Sequence, residues 1–328
     1  MVRGELEQCE GHAQEVRHLS EVRSDVTWKC FGSFVNGIPC FYLGKFIDGR
    51  VHLENALSHW DPTFRASWAL PEDAYVGATL HLSKTLLYLG YVDQARLRRD
   101  EALAEAQRLS PYNLAFALCH AWYGDWASEG MESEPTMLQS AEKVLAISAE
   151  QDFPVWSAVG NIMRGWCLGA AGQAAESISL VLKGIADLSA TGCNILRPFF
   201  LMVLAQAYGK AGQLEEGLNR LVEAAKLVET TQERWAEAEM HRLRGALLLS
   251  MNDHVAAEES YCRAIAVAQQ QSAKFWELRA STSLARLWRD QGKRTEAREL
   301  LAPIYGWFTE GSDTPVLQDA KALLDQLT

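Results

Sequence analysis

The sequence predicts an all-α fold: a right-handed α-solenoid of about seven helical hairpins, closed by a C-terminal capping helix. Three observations predict it. First, a turn returns along the chain: Gly172, Gly212 and Gly292 stand at spacings of 40 and 80, and Asn252 fills the missing place. Glycine, with asparagine as a weaker substitute, suits the left-handed position that ends a helix. Second, a small residue follows five positions after each turn, at Ser177, Gly217, Ala257 and Ala297, where it lets the next helix close against the one just finished. Third, apolar residues flank each turn at helical spacing. Leu201, Leu204, Ala205 and Tyr208 precede Gly212, and Leu218, Leu221, Ala224, Ala225 and Val228 follow it, whereas no stretch alternates as a strand should.

Taken in order, residues 1–22 are charged with weak periodicity and read as a leading helix or a frayed end; residues 23–328 read as one repeat domain. The segments "LGKFIDG" (43–49) and "LGYVDQA" (89–95) repeat the turn and place Gly49 and Ala95 in the small-residue role, which defines units at about 23–62 and 71–110. A third unit, 111–151, has lost its regular turn, and "YGDWASEGMESEP" (123–135) reads as a longer polar loop. Units at 154–190, 194–230, 233–271 and 273–308 follow. Pro71, Pro111, Pro154 and Pro198 stand near the starts of first helices, where a missing N–H does no harm. The segment "TPVLQDAKALLDQL" (314–327), opened by Thr314 and Pro315, reads as the capping helix.

A self-similar helix–turn–helix unit of this length implies a stacked array. The units follow the tetratricopeptide pattern once the small residue is set at its position 20. Position 8 then reads Gly37, Ser83, Gly165, Ala205, Gly245 and Ala285, all small; position 27 reads Ala56, Ala102, Gly184, Ala224, Ala264 and Ile304. The units are longer than the consensus repeat, so longer helices or loops are expected.

The chain has 328 residues, 48 % hydrophobic and 22 % charged, an ordinary composition for a folded protein with a large core. A net charge of −11 argues against a general nucleic-acid binder. The longest apolar runs, such as "FFLMVLAQAY" (199–208), are about half a membrane span, and no charged-then-apolar leader follows Met1. Seven scattered cysteines without a C-x-x-C pair fit free thiols in a reducing cytoplasm. The expectation is therefore a cytoplasmic protein without nucleic-acid or membrane partners.

The tail carries a family resemblance. "RWAEAEMHRLRGALLLS" (234–250) and residues 273–324 resemble the C-terminal tetratricopeptide region of bacterial regulators in which a class III nucleotide cyclase or a DNA-binding domain precedes a signal-transduction ATPase module. The resemblance runs from about residue 30 and is strongest after 230. It implies a regulatory sensor or scaffold arm, with an upstream ATPase or cyclase module as one partner. It implies no such catalysis here, because no G-x-x-x-x-G-K-[ST] loop is present. The chain is then either a free-standing relative or one part of a larger regulator.

Candidate chemistry is sparse. Arg279, Thr282, Arg286 and Arg289 share one helix face, Glu239 and Arg242 occupy matching positions one unit earlier, and Gln206 stands a further unit back. An arginine stripe suits carboxylates of an acidic peptide; the bland reading is a solvated face on which Glu239 pairs with arginine at little energetic consequence. Replacing Arg279 and Arg286 together by Glu is then expected to abolish capture and leave melting nearly unchanged. An alternative pocket beside the irregular third unit would be lined by His120, Trp122, Trp126 and Trp156, although aromatic pairs on helices more often anchor packing. Cys9, His12 and His18 lack a fourth ligand, so no metal is expected. There is no H-E-x-x-H, no G-x-S-x-G and no cofactor motif. The leading expectation is a non-catalytic regulatory scaffold that binds a protein or peptide in its concave groove, without cofactor. The alternative is a small-molecule receptor or atypical enzyme.

Overall fold

The repeated turn is built the same way each time. Gly90, Gly172, Gly212 and Gly292 have φ of 99°, 86°, 72° and 81°, and Asn252 takes the same left-handed conformation at 62°. The residue after each donates its N–H back five positions along the helix: Gln173 to Leu168, Gln213 to Tyr208, Asp253 to Leu248 and Lys293 to Trp288, at 2.8–3.0 Å. This satisfies carbonyls that the helix end would leave bare.

In this computed structural model residues 6–23, 26–67, 70–128 and 134–327 are described. Their helices are α1 (Leu6–Arg23), α2 (Val26–Tyr42), α3 (Phe46–Ser58), α4 (Ala74–Leu89), α5 (Val92–Leu109), α6 (Pro111–Ser128), α7 (Glu134–Gln151) and α8 (Pro154–Ala170). They continue as α9 (Ala174–Ala190), α10 (Arg197–Lys210), α11 (Leu214–Thr231), α12 (Glu237–Ser250), α13 (His254–Gln270), α14 (Lys274–Asp290), α15 (Arg294–Tyr305) and α16 (Pro315–Gln326). No strand occurs among the described residues, and the helices stack as an α-solenoid.

Small residues set the spacing within hairpins. A Cβ on Gly165 would lie 3.2 Å from the Ser177 carbonyl oxygen, and one on Gly217 would lie 3.1 Å from that of Ala205. Ser83 Oγ donates to the Ala95 carbonyl at 2.7 Å. Positions 8 and 20 of the repeat therefore mark a close approach of its two helices. The third unit departs from expectation. Tyr123 to Ser128 continue α6 rather than opening a loop, because Tyr123 and Trp126 bury their rings in the core; residues 129–133 of the expected loop lie outside the described residues.

The early and late units meet. The α2 carbonyl of Tyr42 accepts from the N–H groups of Arg234 and Trp235 at 2.8 and 3.2 Å, and α4 touches α14, with Tyr88 stacked on Trp276 at 4.7 Å between centroids. On the outside Arg96 pairs with Asp313 at 2.8 Å, and Glu310 accepts from the Asp93 N–H at 3.0 Å. The superhelix closes on itself around a packed aromatic layer that includes Phe41, Tyr88, Phe199, Trp235 and Trp276.

Candidate functional site

One register of first helices places Trp126, Trp166, Gln206, Ala246 and Arg286 at intervals of 40 along the inner wall. Gln206 Oε1 accepts from Trp126 Nε1 and from Trp166 Nε1, each at 3.2 Å. Beside them lies a groove of about 410 Å3, walled mainly by apolar side chains such as Val203, Leu243 and Leu247 and bordered by Lys210 and Arg279.

Arg279 belongs to a buried ion network. Its Nη2 and Nε lie 2.9 and 3.2 Å from the two oxygens of Glu239, and Arg242 approaches the same carboxylate at 2.7 and 2.8 Å. The Glu239 side chain is only 1 % exposed. Burial alone would raise its pKa, but the two guanidiniums outweigh that and hold it below the ordinary carboxylate range. Arg279 also donates to the Ala127 carbonyl. Glu239 does pair with arginine, yet inside the protein rather than on a solvated face. Replacing Arg279 by Glu would set a second carboxylate against it, so a lower melting temperature is expected in place of an unchanged one.

Past this network is a second recess of about 240 Å3, bordered by Arg242, Arg279, Thr282, Arg286 and Asp319. Thr282, expected to point outward, is 4 % exposed and donates to the Leu278 carbonyl at 2.8 Å. Arg286 is held by Asp319 at 2.7 Å, and Arg289 by Asp290 at 2.8 Å and Gln326 at 2.5 Å. Gln206 and Arg279 thus share the groove, Arg242, Arg279 and Arg286 share the recess, and Arg289 borders neither.

The four residues of the alternative pocket are separated. His120 and Trp156 border a cavity of about 250 Å3, Trp126 faces the groove, and Trp122, 1 % exposed, is wedged among Tyr123, Trp166 and Phe199. Sequence reasoning missed His81 and Lys84, which α4 buries beside His120. Lys84 Nζ is 2.9 Å from His120 Nδ1 and 4.6 Å from the Phe41 ring centroid. The signal was two basic residues three apart in the otherwise apolar segment "AYVGATLHLSKTLLYL".

No family model matches the sequence, and no curated protein matches it. Solved structures do. A Rap protein complexed with competence and sporulation factor superposes with a TM-score of 0.59 at 12 % identity, over 92 % of this chain and 87 % of that one. The human IFIT1 dimer with PPP-AAAA gives 0.52 at 16 %, over 97 % and 68 %. A signal-transduction ATPase with a tetratricopeptide repeat sensor from Pyrococcus horikoshii gives 0.46 at 16 %, over 95 % of this chain and 45 % of that one. At these identities the likeness is one of architecture: the chain has the fold of tetratricopeptide-like helical-repeat solenoids.

Proposed function

We infer that the protein is a non-catalytic interaction scaffold whose inner groove captures a peptide segment of a protein partner. The observation that carries this reading is the apolar groove beside Trp126, Trp166 and Gln206 that ends on the Arg279–Glu239–Arg242 network. Two guanidiniums around one carboxylate leave a net positive charge at the end of an apolar wall. Such a wall takes up an apolar side chain, and the charge favours an adjacent acidic group. An acidic peptide is therefore the chosen partner class. The Rap neighbour complexed with competence and sporulation factor supports use of this architecture for capture. The tail resemblance supports a bacterial, cytoplasmic signalling role beside an ATPase or cyclase module.

Selection of peptides from a random displayed library on the native chain tests this. The selected sequences should join an apolar residue to an acidic one, and Ala246→Trp, which fills the groove, should weaken them at least tenfold with helicity unchanged. Peptides without acidic preference, or unchanged affinity in a folded A246W, would overturn the reading. The alternative, a small-molecule receptor, draws support from a different place, the cavity beside His120 and Trp156.

A further inference from the structure

The cavity of about 250 Å3 lies where α4 and α6 meet α8 and α10. Most of its wall is apolar or aromatic: Phe34, Ile38, Phe116, Trp156, Val159 and Phe200. Among its polar residues, His81 and His120 lie side by side, with ring centroids 5.1 Å apart. Glu72, Tyr112, Cys193 and Ile195 also border it and are only partly buried, which marks the approach from solvent.

The hydrogen bonds fix what the two imidazoles offer. His81 Nδ1 is 2.8 Å from the Gly77 carbonyl oxygen, an acceptor only, so Nδ1 carries the proton and Nε2 of the neutral ring is a bare acceptor. That Nε2 is buried and has no hydrogen-bond partner, although His81 is 2 % exposed. An unmet acceptor in a core is unfavourable and unusual. His120 Nδ1 faces Lys84 Nζ at 2.9 Å; with the lysine donating, the His120 proton sits on Nε2. One ring thus presents an acceptor and its neighbour a donor.

Behind them stands Lys84, 3 % exposed, with His120 as its hydrogen-bond partner and the Phe41, Tyr42 and Tyr123 rings around it. No carboxylate forms an ion pair with it among the described residues. Burial drives the ammonium and both imidazoles toward their neutral forms, and their mutual repulsion adds to this for the two histidines.

We propose that the cavity binds a small apolar or aromatic monocarboxylic acid, with its carboxyl group bridging His81 Nε2 and His120 and its hydrocarbon part against the aromatic wall. A carboxyl group supplies the donor that His81 lacks and an acceptor for the His120 Nε2–H. The ligand enters as the anion together with one proton, which rests between the carboxyl oxygen and His81 Nε2. No bond to carbon forms or breaks. This site is separate from the peptide groove, and either reading can fail alone. The other groups that could titrate around it are Glu72, Cys193 and Tyr112 on its border, the phenols of Tyr42 and Tyr123, and Glu233, whose charge reaches Tyr42 and Cys193.

The test is calorimetry of the whole chain with 3-phenylpropionate and with its methyl ester between pH 6.5 and 8.5. The acid should bind saturably, the ester at least tenfold more weakly, and the Kd of the acid should rise about tenfold per pH unit because one proton is taken up. His81→Phe should weaken the acid at least tenfold; where that variant does not fold, the ester comparison and the wild-type pH profile decide. Glu233→Gln should keep the pH slope. No saturable binding of the acid at millimolar concentration, equal binding of the ester, a flat pH profile, unchanged affinity in a folded H81F, or a slope lost in E233Q would each overturn the proposal.

Discussion

Glu239→Gln is the sharpest probe of the inner wall. In the native protein one carboxylate receives four contacts of 2.7–3.2 Å from Arg242 and Arg279, at a side chain 1 % exposed. Glutamine keeps the shape, loses the charge and turns an N–H2 group toward a guanidinium, so two buried cations are left without a counter-charge. Breaking a buried pair in this way costs about 3–5 kcal/mol, against less than about 1 kcal/mol for an exposed pair. Urea unfolding followed by tryptophan fluorescence at pH 7 measures it. Adding Arg279→Met to E239Q should recover at least about 1 kcal/mol, because one stranded cation is removed. A loss under about 1 kcal/mol for E239Q, or no recovery in the double variant, would refute the argument. The acid side has a definite sign: with the folded pKa of Glu239 depressed, its contribution is present above the ordinary carboxylate pKa and lost as pH falls through the folded value. E239Q should lack that acid-sensitive component.

Three further outcomes follow from the same packing. Burial pushes Glu233 from an ordinary 4.5 up to about 7, against the lowering effect of the Leu196 N–H and Trp235 Nε1 that it accepts from. Between those values the folded protein holds a proton that the unfolded chain has released, so this group should lower stability by roughly 3 kcal/mol across the window and by nothing more above it; denaturant titrations at pH 5, 6, 7 and 8 check it, and a contribution that rises with pH would contradict it. Gly184→Ala should destabilise by about 1–3 kcal/mol despite alanine's better helix propensity, because its Cβ would meet the Ala158 carbonyl oxygen at 2.8 Å and Ile162 Cγ1 at 2.6 Å. Gly11→Ala, with nothing within 4 Å, should instead stabilise slightly; thermal melts of the two variants beside the native chain check both.

The hairpin architecture was legible because its determinants are local. A left-handed residue ends a helix whatever lies elsewhere, and Asn252 could be matched to the glycines on that ground alone. The pairing of positions 8 and 20 followed, since Gly165 and Ser177 or Ser83 and Ala95 touch within one unit. The meeting of Tyr42 with Arg234 and of Arg96 with Asp313 had no such signal, because residues about 200 apart leave no periodicity in the chain. Helix α4 carried a hint, being buried on nearly all sides where a single-layer array would leave one face wet. The arginines of α14 were assigned to one face from spacing, but spacing is silent about depth: Arg279 lies inside, while Arg286 and Arg289 pair near the surface. His81 and Lys84 were passed over because neither belongs to a motif.

An open array of repeats tolerates gain or loss of a unit, since each hairpin answers only to its neighbours. Here the Trp235 and Tyr42 backbones are tied, and Trp307 lies against Gly90 on the far side of the loop. The number of hairpins is therefore fixed by geometry, as the number of staves is fixed in a hoop. Deleting one hairpin, or trimming α14 to α16, would uncover Tyr88 and Phe41 at the opposite end of the polypeptide, so damage at one terminus should be felt at the other and the whole ring should lose structure together.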